Sequence, residues 1–228
     1  MNIASFESVD RRRVAAYDAV DAARYVRMPK STLRAWFVGQ AQFERVLTPA
    51  TEAPLMLSFL NLAEAHVLSA IRRRHEVPLK HVRSALRTLT SRYPDTPHPL
   101  ISRAFSTDGV DLFVEEFGEI VNISRNERKH LHTIFERHLH RIEFNDSDLP
   151  VRFFPFPSTS LEDSDRRNVI IDPHVAFGRR VIAGTGIRTE IIAERYAAGD
   201  RIDDLARDYG RSSEEIEDAI RAEFDVAA

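Results

Sequence analysis

Apolar residues near the start of the chain recur at the three- and four-residue intervals of amphipathic helices. One helical run follows Asp18 and carries Val20, Ala23 and Tyr25. Pro29 cannot continue that helix, but proline is favoured near the start of a new one. A second run through residues 31–37 ends at Gly39. Two short helices separated by a tight break are typical of a helix-turn-helix.

The pattern then changes twice before residue 95. Prolines and short apolar runs over residues 40–60 predict a wing with one or two strands. Asn61 followed by Glu64 matches a capping box and predicts a helix that continues to Ile71 and ends at three arginines, 72–74. Pro78 opens the next helix, whose predicted inner face is Val82, Ala85, Leu86 and Leu89.

Residues 100–156 have a mixed pattern. Apolar runs at 112–114 and 120–123 flank Gly118 and predict a β-hairpin. Ser124 and Glu127 match a capping box before a helix that continues to Leu139. A second hairpin is predicted over the polar turn 145–148. Residues 157–167 are almost all polar and predict a linker.

The last sixty residues begin with a short strand, 169–171, and turns at Asp172-Pro173 and Phe177-Gly178. Three helices follow, and glycines 199 and 210 end the first two. Together these patterns predict an α+β protein, mostly helical. Its predicted parts are a winged helix-turn-helix (1–95), a middle segment of β-hairpins with a helix (96–157), a linker (158–167) and a small helical, helix-turn-helix-like domain (168–228).

Composition narrows the class of protein. The chain has no cysteine, which excludes disulfides and thiolate metal sites and suits a reducing compartment. It contains no apolar run near the roughly 20 residues that a membrane-spanning helix needs, and its N-terminus has no apolar secretion signal. We therefore expect a cytoplasmic protein with no membrane contact.

Charge is divided along the chain. Residues 1–92 hold 15 Lys and Arg against 8 Asp and Glu, whereas residues 159–228 hold 10 against 16. The basic first part suits contacts with phosphate, because each neutralised phosphate releases counterions. The acidic last part suits a protein partner better.

Two stretches resemble known families. Residues 17–26, YDAVDAARYV, followed by 29–36, PKSTLRAW, resemble the start of a MerR-type winged helix-turn-helix. Residues 171–173 (IDP), 178–187 (GRRVIAGTGI), 198–200 (AGD) and 208–210 (DYG) are similar to domain of unknown function 433. The combination resembles VapB-type antitoxins. That resemblance implies a type II antitoxin that neutralises a PIN-like ribonuclease toxin and, as a homodimer, represses its own operon on double-stranded operator DNA.

The second predicted helix supplies the candidate DNA contacts. Its N-terminal amides and Lys30 would engage phosphate, and Arg34 would reach phosphate or guanine edges. The alternative is a degenerate helix-turn-helix kept for packing, and Trp36 is expected in the core on either interpretation. The predicted DNA-binding residues are Pro29, Lys30, Ser31, Thr32 and Arg34.

The resemblance also suggests a partner site. PIN-like nucleases hold metal with carboxylates, so an arginine fork of Arg179, Arg180 and Arg188 would block such a centre electrostatically. The last helix carries five acidic residues between 214 and 223. It would repel phosphate, and we interpret this second helix-turn-helix as a dimerisation or toxin-binding module.

Other chemistry finds little support. Histidines at 130, 132, 138 and 140 lack the spacing of a metal site, and the loop at 184–186 lacks the lysine of a phosphate loop. We therefore predict no enzyme activity, cofactor or metal. Two alternatives stay open: a MerR-like regulator that senses a small ligand through residues 100–156, and a protein-binding adaptor that never touches DNA.

Overall fold

The computed structural model describes residues 9–40, 44–72, 79–96, 98–102, 105, 109–122, 124–155 and 166–224. In the N-terminal part, α1 (Ala19–Tyr25) and α2 (Lys30–Phe37) pack against each other. Asp18 caps α1 by accepting hydrogen bonds from two backbone amides. Arg27, with a φ of +52°, turns the chain between the helices, and Pro29 precedes α2. The predicted helix-turn-helix is confirmed.

A short ladder closes the helix-turn-helix on one side. Strand β1 (Tyr17–Asp18) pairs antiparallel with β2 (Met56–Leu57). The amides of Val46 and Leu47 both donate to the carbonyl of Trp36, which ties the 44–57 segment to the end of α2. This segment contributes one strand of two residues, within the one or two that the sequence predicts.

Helix α3 (Phe59–Arg72) begins earlier than the sequence predicts. The Ser58 amide donates to Asn61 Oδ1 at 3.1 Å and the Asn61 amide donates to Ser58 Oγ at 3.2 Å, so Ser58 is the capping residue. Asn61 and Glu64 therefore lie inside the helix and do not form the predicted capping box. The buried carboxylate of Glu64 instead lies 2.9 Å from Nδ1 of His98.

The largest departure from the sequence prediction is α5 (Val110–Val121), which occupies the region of the first predicted hairpin. Its buried residues Val110, Phe113, Val114 and Phe117 follow helical spacing, and Gly118 continues the helix. Tertiary packing decides this segment, because Phe113 lies edge-on to Phe105 and Phe135 and parallel to Phe117. Local apolar runs alone could not distinguish a strand from a helix.

Two other helices surround this aromatic cluster. Helix α4 (Leu79–Arg92) contacts α5, and its buried positions Val82, Ala85, Leu86 and Leu89 match the prediction. Helix α6 (Arg125–Leu139) packs on both α3 and α5. The predicted capping box at its start is confirmed, with Ser124 and Glu127 bonding reciprocally.

One antiparallel sheet links the middle of the chain to its C-terminal part. Strands β3 (Ile142–Phe144) and β4 (Pro150–Phe153) form the second predicted hairpin. Strand β4 also pairs with β5 (Val169–Ile171), which pairs with β6 (Arg180–Ile182). Buried Phe153 and Ile171 belong to the same core as the helix-turn-helix, so this core takes residues from both sides of the predicted linker. Most of that linker, residues 158–165, lies outside the described residues.

The C-terminal helices build a second, smaller core. Helices α7 (Thr189–Ala197), α8 (Ile202–Tyr209) and α9 (Ser213–Phe224) enclose Ile192, Leu205 and Ile216. Gly210 ends α8 with a φ of +61°, as the sequence predicts, and Ser212 and Glu215 form the predicted capping box. Among the described helices, none has both the length and the apolar character needed to cross a bilayer.

Candidate functional site

The outer surface of α2 brings four of the five predicted DNA-binding residues together. Pro29, Lys30, Ser31 and Arg34 are all exposed, and Lys30 and Arg34 lie one turn apart on the same face. Within the described residues, no ion pair involves Lys30 or Arg34. Thr32 differs, because it is buried on the inner face of α2. The outward face of this helix is therefore cationic and uncovered.

The N-terminus of α2 adds backbone donors to this face. Pro29 precedes the helix and supplies no side-chain cap, and its carbonyl accepts from the amides of Thr32 and Leu33. The amides of Lys30 and Ser31 belong to the first turn, where an α-helix has no internal partner for them. Free amides and the positive end of the helix dipole favour an anion at this position.

Trp36 fixes α2 from its inner face, opposite the exposed cationic residues. Its side chain is buried with Leu33 and Phe37 in the main core, which agrees with the predicted structural role. The inner face of α2 thus fixes the helix, while the outer face stays free for a ligand.

A second basic group lies beside the wing segment and was missed by the sequence analysis. Arg45, Arg83 and Arg87 line a cleft of about 510 Å³ between residues 44–46 and α4. Arg45 pairs with Glu52, and Arg87 pairs with Glu44. These pairings reduce the positive charge of the cleft, so α2 is the stronger anion site.

Arg180, one of three predicted partner-binding arginines, lies inside the molecule with 3% of its surface exposed. Its guanidinium stacks 4.5 Å above the ring of Tyr25 in α1, donates to the carbonyl of Ala222 and pairs with Glu223 at 2.7 Å. Burial lowers the pKa of this guanidinium, and the Glu223 carboxylate opposes that effect. In this arrangement Arg180 connects the helix-turn-helix to the C-terminal module, which consists of β5, β6 and helices α7 to α9.

Glu223 is the centre of that connection. Its carboxylate accepts from Arg24 at 2.6 Å as well as from Arg180, and also from the hydroxyl of Thr189. The end of α9 is therefore joined to α1, β6 and α7 at once. The sequence alone gives no signal for this connection through Glu223, because the bonded residues are up to 199 positions apart.

Arg179 strengthens the same junction from the surface. It pairs with Asp21 of α1 and bonds to Tyr25, and these hydrogen bonds raise its pKa above the ordinary value. Beside it, the buried hydroxyl of Tyr17 donates to the carbonyl of Gly178 at 2.9 Å. Burial raises the pKa of both Tyr17 and Tyr25, so the two phenols stay neutral.

Arg188, the third predicted partner-binding arginine, is the one most available to a partner. Its side chain is 45% exposed and pairs with Glu190 at 2.7 Å. It precedes α7, where no side chain caps the helix. The three arginines therefore do not converge as a single fork: Arg180 is internal, Arg179 lies at the junction and Arg188 faces solvent.

The histidine cluster of α6 is divided between environments. His138 is buried, and its ring lies 4.7 Å from that of His66. His132 is half-buried between Asp111 at 3.1 Å and Glu136 at 3.5 Å. In the portion of the chain that the structure describes, no three His, Asp or Glu residues are placed to hold a metal ion.

An open cleft of about 930 Å³ lies between α5 and α6. One wall carries Arg125, Arg128 and Lys129, and the other carries Asp111 and Glu115. Gly118 allows this packing, because a Cβ there would lie 2.5 Å from Nε of Arg128.

Comparisons with known proteins agree with this two-module arrangement. Residues 15–86 match a family described as "Putative DNA-binding HTH domain", and residues 169–221 match "Protein of unknown function (DUF433)". The first match identifies a general helix-turn-helix family, so the MerR-type assignment stays a prediction.

Two matches, one to a curated protein and one to a solved structure, extend over most of the chain. A protein named "Putative antitoxin VapB45" from Mycobacterium tuberculosis is 29% identical over 92% of this chain and 94% of its own length. The crystal structure of Rv2018 from the same organism has a TM-score of 0.68 and 27% identity, and the match covers 91% of this chain and 98% of that one. The resemblance to VapB-type antitoxins is thereby confirmed: the chain is similar to such a protein over most of its length, and its N- and C-terminal segments are similar to the putative DNA-binding helix-turn-helix family and to DUF433.

Proposed function

We propose that this chain is the antitoxin of a type II toxin–antitoxin pair, a cytoplasmic protein without enzyme activity. It binds the operator of its own operon through α2 and neutralises a PIN-like ribonuclease through its C-terminal module. The observation that carries the DNA-binding half is the exposed cationic pair Lys30 and Arg34 on the outer face of α2, a helix whose start has no side-chain cap. The name of the M. tuberculosis relative supports the antitoxin half.

The α2 face suits a duplex in both charge and shape. A recognition helix enters the major groove with its N-terminal residues toward the bases. Lys30 and the free amides of the first turn would contact phosphate, whereas Arg34, one turn further on, reaches base edges or phosphate. Helix-turn-helix proteins that bind DNA as dimers recognise the two half-sites of a palindromic operator. We propose that this chain binds its operator in the same way, as a homodimer.

A salt-titrated gel shift with the chain's own promoter tests the DNA-binding half. For wild type we expect affinity that falls steeply with salt. Lys30→Ala and Arg34→Ala should each weaken binding roughly fivefold at about 0.15 M salt and reduce the salt slope by about 1 for each phosphate that is no longer neutralised. Arg207→Ala is the matched control, because that arginine is 74% exposed but lies on α8.

The results separate the adaptor alternative from DNA recognition. If wild type fails to bind its promoter even at low salt, the chain is not a DNA-binding protein of this kind. If both α2 variants bind as tightly as wild type, another surface carries the affinity.

The toxin-binding half rests on the C-terminal module and on the exposed Arg188. An arginine entering the carboxylate centre of a PIN-like nuclease would compete with its metal and block catalysis. We propose that Arg188 enters the centre, whereas Arg179 keeps its pairing with Asp21.

Co-expression with the reading frame beside this chain's gene, followed by pull-down and a ribonuclease assay, tests that half. Arg188→Glu should abolish neutralisation, because it places a carboxylate among carboxylates. Arg207→Glu reverses the charge of another exposed arginine of the module and should leave neutralisation intact. Full protection by Arg188→Glu would remove Arg188 from the mechanism.

A ligand-responsive regulator is the second candidate, favoured by the cleft between α5 and α6. Three cations of α6 line a space of about 930 Å³, within the size range of small-molecule sites. The neighbouring gene separates the two functions: a PIN-like nuclease favours the antitoxin. A metabolite that changes promoter affinity in the absence of any toxin would favour the regulator.

A further inference from the structure

Phe177 is the most exposed large apolar side chain of the described residues, with 86% of its surface accessible. It lies in the tight loop between β5 and β6, at the surface where the C-terminal module meets the helix-turn-helix. Single exposed apolar residues are common on soluble proteins. The backbone conformation at Phe177, however, is uncommon for a phenylalanine.

Three consecutive residues of the loop have left-handed backbone conformations. The φ angles are +46° for Ala176, +55° for Phe177 and +77° for Gly178. Only the third residue is a glycine. For a bulky residue such as phenylalanine a positive φ is unfavourable, whereas asparagine or glycine adopts it with less strain. Strained residues of this kind cluster at binding sites.

The loop is held in place on both sides. The amide of His174 donates to Asp172 Oδ1 at 2.8 Å, and the amide of Gly178 donates to the carbonyl of Val175 at 2.9 Å. The hydroxyl of Tyr17 donates to Gly178 from the helix-turn-helix, and Arg179 pairs with Asp21. Phe177 is therefore presented by a fixed scaffold, so its binding would lose little conformational entropy.

The charges around the loop indicate which kind of partner the ring fits. Asp21 pairs with Arg179, and Asp172 pairs with Arg152. Because these two arginines are already paired with carboxylates, they offer little charge to attract phosphate. The exposed ring of Phe177, in a loop whose flanking residues Asp172 and Arg179 are ion-paired and whose His174 lies 3.4 Å from Asp172, instead matches the anchor of a protein interface, where a polar rim excludes water from a buried ring.

We propose that Phe177 is the anchor residue of the toxin interface and that its ring inserts into an apolar pocket of the nuclease. This inference rests on the proposed antitoxin function. It adds a contact separate from the charged one at Arg188: the ring supplies affinity, and the arginine supplies inhibition. Backbone strain and an exposed ring, both unfavourable in the free chain, are offset when the ring is buried in the complex.

The test uses the full chain and the purified nuclease encoded beside it, with affinity measured by isothermal titration calorimetry. Phe177→Ala removes the ring, and Phe177→Asn removes the ring while suiting the left-handed backbone. Both variants should bind the nuclease at least 30-fold more weakly than wild type, as for an interface hot spot. Phe177→Asn should also unfold at a temperature equal to or above that of wild type, which shows that the loss does not come from misfolding.

Phe224→Ala is the matched control, because Phe224 is a second exposed phenylalanine of the same module, 54% accessible on α9. It should change nuclease affinity less than threefold. Promoter affinity should be unchanged in all three variants, since both phenylalanines belong to the C-terminal module and not to α2.

Three outcomes would overturn the proposal. If wild type binds the nuclease and both Phe177 variants bind equally well, Phe177 is not an anchor. If the variants change only the oligomeric state in sedimentation experiments, the ring serves contacts between copies of this chain. If wild type does not bind the nuclease at all, the proposed antitoxin function fails and this inference fails with it.

Discussion

Gly178 has a tighter steric requirement than the other left-handed glycines of the C-terminal part, Gly184, Gly199 and Gly210. Its φ is +77°, and a Cβ there would lie 2.1 Å from the hydroxyl of Tyr17. Gly184 has nearly the same φ, +72°, but open space around it. A side chain at Gly184 would therefore meet backbone strain alone, whereas one at Gly178 would meet both backbone strain and a steric clash.

We expect Gly184→Ala to cost about 1 kcal/mol of unfolding free energy, the usual cost of a left-handed alanine. Gly178→Ala should cost about 2–4 kcal/mol, because it also displaces Tyr17 and breaks a buried hydrogen bond. Urea denaturation of both variants provides the measurement. Equal losses would mean that the Tyr17–Gly178 contact contributes nothing.

Tyr17 and Tyr25 give the protein a sensitivity to alkaline pH. Burial holds their pKa values above the ordinary value of about 10. Above that pH the unfolded chain loses phenolic protons that the folded chain still retains, so rising pH favours unfolding. The contribution of the phenols to stability is therefore complete below about pH 10 and is lost above it.

We expect Tyr17→Phe to make the stability of the protein depend less steeply on pH between about 10 and 11, since it removes one of the two phenols. The variant should also be less stable at neutral pH by about 1 kcal/mol, because its hydrogen bond to Gly178 is gone. Denaturation midpoints measured across this pH range test both effects. Tyr196→Phe, which removes the hydroxyl of an exposed tyrosine, is the control.

At the scale of single elements, the helices with capping residues and periodic apolar positions are the ones that the sequence predicts well. The starts of α6 and α9 follow the capping boxes at Ser124 and Ser212. For the segment of α5, the apolar runs on either side of Gly118 predict a hairpin, and this prediction is wrong. Packing of its aromatic side chains makes this segment a helix.

Phe113→Ala tests that explanation. Phe113 is fully buried and contacts three other phenylalanine rings, so its truncation should cost about 3–5 kcal/mol and destabilise the docking of α5 on α6. Glu115→Ala, on the exposed side of the same helix, should change stability by less than about 0.5 kcal/mol. Thermal and urea denaturation measure both variants. A small loss for Phe113→Ala would show that other contacts hold this helix.

At the scale of the whole molecule, the two modules are joined rather than tethered. Buried Tyr25 of α1 and buried Arg180 of β6 form a single network with the partly exposed Arg24 of α1 and Glu223 of α9. The sheet β3–β6 also crosses from the middle segment to the C-terminal one. A partner that binds the C-terminal module would therefore act on a body that also holds α2.

We expect Glu223→Ala to destabilise the protein by about 3–5 kcal/mol, because it leaves the charge of Arg180 buried without its carboxylate. Trp36, the only tryptophan in the chain, reports on the helix-turn-helix by fluorescence, whereas far-ultraviolet circular dichroism reports on all helices. Wild type should show coincident transitions by both methods, and Glu223→Ala should separate them.

The matched control for that experiment is Glu217→Ala. Glu217 is another acidic residue of α9, but its side chain is 41% exposed and pairs with Arg221. Surface pairs contribute little, so its loss should be below about 1 kcal/mol with transitions that stay coincident. Transitions that also stay coincident in Glu223→Ala would argue that the shared core, not this network, couples the modules.

The sequence by itself determined the local features: both helix-turn-helix patterns, the capped starts of α6 and α9, the second hairpin and the cationic residues Lys30 and Arg34, which the structure places on an exposed face. These follow from periodicity, caps and turn residues, which act within a few positions of the chain. Only the tertiary structure decided the helical state of 110–121, the burial of Thr32 and Arg180, and the presentation of Phe177. Each of these depends on residues far apart in sequence, and which distant side chains meet is fixed by the packing of the whole core.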